Sequence, residues 1–207
     1  MINQFVRKSF LRIDFVRVVF VIVAAIALAA VMGLGTAYYL TRHEPPFGAV
    51  RVGPWIAWPE IGSAAIDPYA RATVSRIGEL SLGAGEGLAF SANRDSAGRV
   101  LNGSCTYRVR GPVPTSRAWT LTVYQADGTM PPNPTGRNGF TSHEVLRNLN
   151  GTAEIVISPE AQPGNWLMSP QRSNLMLMLR LYGTSVSTMT GAVESSGLPT
   201  IDRQSCP

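Results

Sequence analysis

Histidine and cysteine are scarce: the 207-residue chain has two of each. His43 and His143 do not suffice for a three-histidine metal site, and no HExxH occurs. Two cysteines without a CxxC exclude a zinc knuckle. A Ser-His-Asp triad would have only His143 to draw on, because His43 stands at the border of an apolar run, and no GxSxG accompanies it. The stretch Gly83–Gly87, "GAGEG", lacks the lysine of a phosphate loop and comes after a helical pattern rather than a strand, so it reads as a turn. No metal and no cofactor is expected. Lysine is scarcer still, Lys8 being the only one, and just 15% of residues are charged.

A net charge of +5 suggests a nucleic-acid partner until the charges are located. Arg7, Lys8, Arg12 and Arg17 precede residue 18 against a single acid, Asp14, while the rest of the chain carries 14 arginines against 12 acids. The basic excess belongs mainly to the N-terminal tail, the bulk is nearly neutral, and no nucleic acid is expected. With 45% hydrophobic residues there is enough apolar material for a packed core.

Residues 18–40, "VVFVIVAAIALAAVMGLGTAYYL", run without a charge. As a helix they span about 35 Å, against roughly 30 Å of bilayer hydrocarbon. The basic residues before the run place the N-terminus in the cytoplasm and everything after it across the membrane. Tyr38 and Tyr39 suit the far interface. The expected division is a cytoplasmic basic tail over 1–17, a transmembrane signal anchor over 18–41, a Pro/Gly/Trp-rich spacer over 42–59 and a β-domain over 60–207. A cleaved signal peptide, with Ala27-Leu28-Ala29 as the cleavage triplet, is the competing reading; the run exceeds the usual signal core of roughly 7–15 residues, which favours an anchor. Ala25, Ala29 and Gly33 form a small-residue stripe through which two copies of the helix would pack as a homo-oligomer. Beyond the membrane an oxidising periplasm lets Cys105 and Cys206 pair, an inference that rests on compartment alone.

One helix is legible in the exported part. Asp67 suits the cap, Pro68 the first helical position, and Tyr69, Thr73, Arg76/Ile77 and Leu80 recur at helical spacing. Strand patterns come next. "CTYRVR" and "TAEIVIS" alternate, Asn150-Gly151 predicts a hairpin between 145–149 and 152–158, and "NLMLMLRLYG" is apolar on both faces, as a central strand would be. In "AWTLTVYQADG" the rings of Trp119 and Tyr124 fall on opposite faces, Trp119 toward the core. Short strands between Pro/Gly-rich loops indicate a mainly β fold, a β-sandwich or jelly roll with one short helix, behind a single N-terminal transmembrane helix.

Candidate binding residues cluster at loops and strand ends. Arg71 lies on the helix and Tyr124 near a turn. Arg137 stands in the long loop "NPTGRNGFTS", where it either binds a ligand or braces the loop. His143 is close by. Trp166 in "GNWLMSP" either stacks on a sugar or plugs the end of the sandwich. Arg180, near the end of an apolar strand, needs an acceptor, a carboxylate more readily than an anionic ligand.

The blocks "DPYARA", "YRVRGPVP", "AWTLTVYQADG", "NPTGRNGFTS", "GNWL", "LMLRLYG" and "GLPTI" occur in the order that makes the chain resemble the domain of unknown function 1214, over about residues 60 to 203. The resemblance implies a jelly-roll-like module of proteobacterial envelope proteins with no established activity, so no catalytic residues are carried over. In many such proteins the module comes after a domain of unknown function 1254. The short form resembles alphaproteobacterial proteins in which an anchor stands in that half's place and the half is a separate chain. The expected role is therefore a non-catalytic, inner-membrane-anchored periplasmic module that binds a partner chain or an envelope component. Two alternatives remain: an enzyme on an envelope glycan or lipid, using His143, Glu144 and Arg137, and a homo-oligomeric assembly protein.

Overall fold

The computed structural model describes residues 2–42, 48–77, 82–83, 85–171, 173–184 and 197–207. It falls into two compact units, Met1–Pro45 and Pro46–Pro207. The first is one helix, α1 (Ile2–Arg42). Its stretch Phe15–Thr41, with mean hydropathy 2.8, is long and apolar enough to cross a membrane. The hydroxyls of Thr36 and Thr41 donate to Met32 O (2.8 Å) and Ala37 O (2.9 Å), so these groups are satisfied within the helix, as hydrocarbon demands. Residues 2–17, expected as a tail, continue the helix because neither glycine nor proline interrupts them. The expected flank at His43 and Glu44 lies outside the described residues.

The second unit is a sandwich of two open sheets. Its strands are β1 (Val50–Val52), β2 (Trp55–Ala57), β3 (Gly87–Ala92), β4 (Thr106–Arg110), β5 (Ala118–Gln125), β6 (Gly139–Thr141), β7 (Glu154–Ser158), β8 (Asn165–Met168), β9 (Leu175–Tyr182) and β10 (Thr200–Ser205). The larger sheet runs β1-β2-β3-β9-β5-β6, and the smaller runs β10-β4-β7-β8. All pairs are antiparallel except β7 with β8. Period-2 alternation sends one set of side chains between the sheets: Phe90, Leu121, Leu177 and Leu179 from the larger, Tyr107, Ile157, Leu167 and Ile201 from the smaller. The alternating strands read from the sequence fall in place, and β9 is central, between β3 and β5. Trp119 is buried beside Leu121 and Val123, while Tyr124 faces the other side, half-buried.

Three features differ from expectation. Residues 50–57, expected within the spacer, supply β1 and β2; Trp55 is fully buried and its Nε1 donates to Pro199 O at 2.7 Å, a tie the local sequence does not reveal. The hairpin before β7 shrinks to a single bridge between Arg147 and Ala153, because the Asn165 side chain takes both backbone groups of Leu146, at 2.7 and 2.8 Å, that a strand partner would have used. α2 (Pro68–Ile77) starts where expected, capped by Asp67 Oδ2 on the Ala70 amide at 2.9 Å, but Leu80 of its predicted face lies outside the described residues.

Cys105 and Cys206 are disulfide-bonded, joining the buried start of β4 to the residue after β10. Beside this staple sits Asp95, whose carboxylate is fully buried. Its Oδ1 accepts the amides of Ala97 and Arg99 (3.0 and 2.9 Å) and its Oδ2 accepts Arg99 Nε at 2.8 Å, while Arg203 Nε, 3.4 Å from Oδ2, forms an ion pair without a hydrogen bond. Burial works to raise the Asp95 pKa, but the Arg99 amide, the Arg99 guanidinium and its charge prevail and hold it below the ordinary 3.8. A carboxylate more acidic in the folded state contributes stability that is full above its unfolded pKa and is lost as pH falls through the folded one. In urea titrations the midpoint is expected to stay level near neutral pH and to fall below about pH 4. Asp95→Asn should flatten that decline; an unchanged slope would refute the assignment.

Candidate functional site

Register places several loops at one end of the sandwich. Gly87, Tyr182 and Ala118 pair side by side at the ends of β3, β9 and β5. The β4–β5 connection, residues 111–117, reaches this end: the Arg117 amide donates to Tyr182 O at 2.9 Å. Pro112 and Pro114 lack the N–H that a ladder needs, so the chain leaves the sheet between Arg110 and Ala118. Gly111 turns there at φ 123, a conformation open to glycine. Opposite stands the tight turn 148–151, closed by Gly151 N to Asn148 O and Asn148 N to Thr152 O, both 2.8 Å, with Gly151 at φ 79.

Between these two loops lies a cleft of about 360 Å³, floored by Trp119 and walled by Val113, Ser116, Arg147 and Thr152. A second hollow of about 380 Å³ adjoins it through Gly111, Thr152 and Ala153, toward Arg110 and Glu154. Most wall polar groups already have partners. Arg110 pairs with Asp202 (2.9 Å), Glu154 with Arg108 (3.3 Å), and Arg147 donates to Gly151 O and Ser142 O (3.0 and 3.1 Å). Ser116 Oγ is buried without a hydrogen-bond partner among the described residues. Beyond these braced groups the cleft lining offers the Trp119 indole and Val113. Among the described residues no group of three His, Cys, Asp or Glu could hold a metal.

The residues singled out from the sequence are dispersed. Arg71 is exposed on α2 and donates to Ala64 O at 3.4 Å. Arg137 stacks on the Phe140 ring, 4.7 Å from its centre, and its carbonyl accepts from Asn133 Nδ2 (2.6 Å), which makes it part of the loop's bracing. His143 is exposed. Beside it, Glu144 accepts the Thr141 amide and hydroxyl, both at 3.0 Å; these bonds, the amide's first, hold its pKa below the usual carboxylate value, with a smaller push from Arg137. Trp166 neither plugs the end nor stands free. It lies beside Val156 on the outer face of the smaller sheet and donates Nε1 to Ser158 O at 3.1 Å.

Only Tyr124 and Arg180 come together. Both lie on the outer face of the larger sheet, where Arg180 Nη1 donates to Tyr124 Oη at 3.2 Å and the guanidinium lies 5.8 Å from the ring centre. Tyr124 pairs with Met176 in the register, so the arginine reaches four residues along the strand, past Met178, which is only 5% exposed. Around it lie Thr120, Thr122 and Thr141, all half-buried.

Residues 86–186, from β3 through β9, match the family described as protein of unknown function (DUF1214). The chain carries a domain of this family. β10, and with it Cys206, lies outside the DUF1214 match. A crystal structure of a Vibrio parahaemolyticus protein shares the fold, with TM-score 0.54 and 22% identity, over 66% of this chain and 35% of that one. An uncharacterised protein from Burkholderia cenocepacia aligns at TM-score 0.40 and 22% identity, over 70% of this chain and 46% of its own. The chain thus spans less than half the length of either structure. No curated protein matches it.

Proposed function

We propose that this is a single-pass protein of the bacterial inner membrane, its N-terminus cytoplasmic, whose DUF1214 domain binds a partner chain in the periplasm and does not turn over a substrate. The observation that carries the reading is the outer face of the larger sheet, a half-exposed surface of threonines around the Arg180–Tyr124 pair. Two facts support it. The same fold occurs as a minority of a longer Vibrio chain, and the partner that fits this is a separate chain carrying the remaining half, a domain of unknown function 1254. The N-terminal basic residues and the disulfide agree with an exported domain. Solubilised gently from its own membranes, the full-length protein is expected to bring down one companion in near-equal amount, and Tyr124→Ala or Thr120→Lys to lose it while keeping the fold. Recovery of the chain alone would overturn the proposal.

A further inference from the structure

The charges around the cleft are matched with one exception. Arg110 pairs with Asp202 and Glu154 with Arg108, but among the described residues no carboxylate lies within ion-pair distance of Arg147. The two acceptors of Arg147 are carbonyls, Gly151 O for Nη1 and Ser142 O for Nη2. Carbonyls orient a guanidinium without neutralising it, and two bonds leave three of its five N–H groups to spare.

Both acceptors are themselves fixed. Ser142 donates its amide to Trp119 O at 2.8 Å, and its hydroxyl oxygen accepts the Trp119 amide at 3.3 Å. Gly151 sits in the closed turn, where Asn150 Oδ1 also accepts the Thr152 amide (3.1 Å) and hydroxyl (2.6 Å). Arg147 is thus an exposed cation held in place beside the strand end that carries Trp119. The other wall of the cleft is apolar, with Val113 between Pro112 and Pro114, and the indole, 8% exposed, brings only its rim to the floor.

An oriented cation without a counterion, set across about 360 Å³ from an apolar wall, asks for a ligand with both characters. A neutral sugar leaves the charge unanswered, and an inorganic anion leaves the apolar wall wet. We propose that the cleft is a binding site for a small carboxylic acid with an apolar body. The carboxylate takes the spare N–H groups of Arg147 in a two-point contact, and the body lies against Val113 and the rim of Trp119. This site and the partner-binding face of the larger sheet stand or fall separately.

The test is a ligand-observed NMR titration of the full-length protein in nonionic detergent near neutral pH. Phenylacetate is the probe, phenylacetamide keeps its shape without the charge, and acetate keeps the charge without the body. Phenylacetate is expected to bind at least about tenfold more tightly than either control. Its affinity should fall as salt rises from about 20 to about 500 mM. Arg147→Gln should weaken it about tenfold. Because Arg147 also braces the turn, Thr115→Trp is the second variant: Thr115 is an exposed lining residue, and an indole there fills the cleft without touching Arg147 or its acceptors. It should abolish binding and leave the urea midpoint unchanged. Equal affinity for phenylacetate and phenylacetamide overturns the role of Arg147, and equal affinity for phenylacetate and acetate overturns the apolar wall. Undiminished binding to Thr115→Trp, or no binding of phenylacetate up to about 10 mM, overturns the site itself.

Discussion

Cys206→Ala lowers the unfolding free energy of the β-domain by about 4–5 kcal/mol in the chain-entropy account, because the bond closes a loop with a sequence separation of 101. Cys206 is exposed, so its removal leaves no cavity and the effect isolates the cross-link, unlike a change at fully buried Cys105. The strand that suffers first is β10, an edge strand paired to β4 alone. Chemical denaturation in detergent, with and without reductant, reads this directly. The native chain is expected to drop to the variant's level on reduction, and the variant to be indifferent to reductant. A native chain equally stable when reduced would show that the staple contributes nothing.

Asp95→Ala is expected to cost about 3–5 kcal/mol, the usual result of stripping one partner from a buried ion pair. The loss has two parts. The amides of Ala97 and Arg99 lose their acceptor, and Arg203, whose guanidinium lies 5.5 Å from the Tyr107 ring centre and donates to Val100 O at 2.8 Å, loses its countercharge. Asp95→Asn keeps an oxygen for the two amides and should cost less. Arg203 is on β10, so Asp95 and Cys206 secure the same strand from different sides. Their combined loss should fall short of the sum, since once the strand is free the second change has less to release. Strict additivity in the double variant would show that the two act on separate parts of the fold.

Local pattern made much of the fold legible. Alternation identified the faces of β4, β5 and β7, and the doubly apolar run identified β9 as central. The Asp67 cap was readable because an N-cap is a bond between residues three apart. Where the reading departed from the structure, the deciding bond was remote in sequence: Trp55 with Pro199 drew β2 out of the spacer, and Asn165 with Leu146 undid a hairpin. The candidate site suffered most. Of the side chains chosen for their chemistry, Arg71 donates to a loop carbonyl, Arg137 stacks on Phe140 within reach of the charge on Glu144, Trp166 lies on the outer face of the smaller sheet, and Arg180 bonds Tyr124. The cleft is lined by backbone turns and ordinary residues that carry no motif of their own.

The order of amino acids alone determines that the N-terminal helix is long and apolar enough to cross a membrane and that the residues beyond it build sheets. Both depend on short-range periodicity, and a helix or a strand carries its period within itself. Which residues meet across the sandwich and which polar groups are consumed as bracing were decided only when strands distant in sequence took their register. That register is set by the sum of many remote contacts, and no single stretch of the chain contains it.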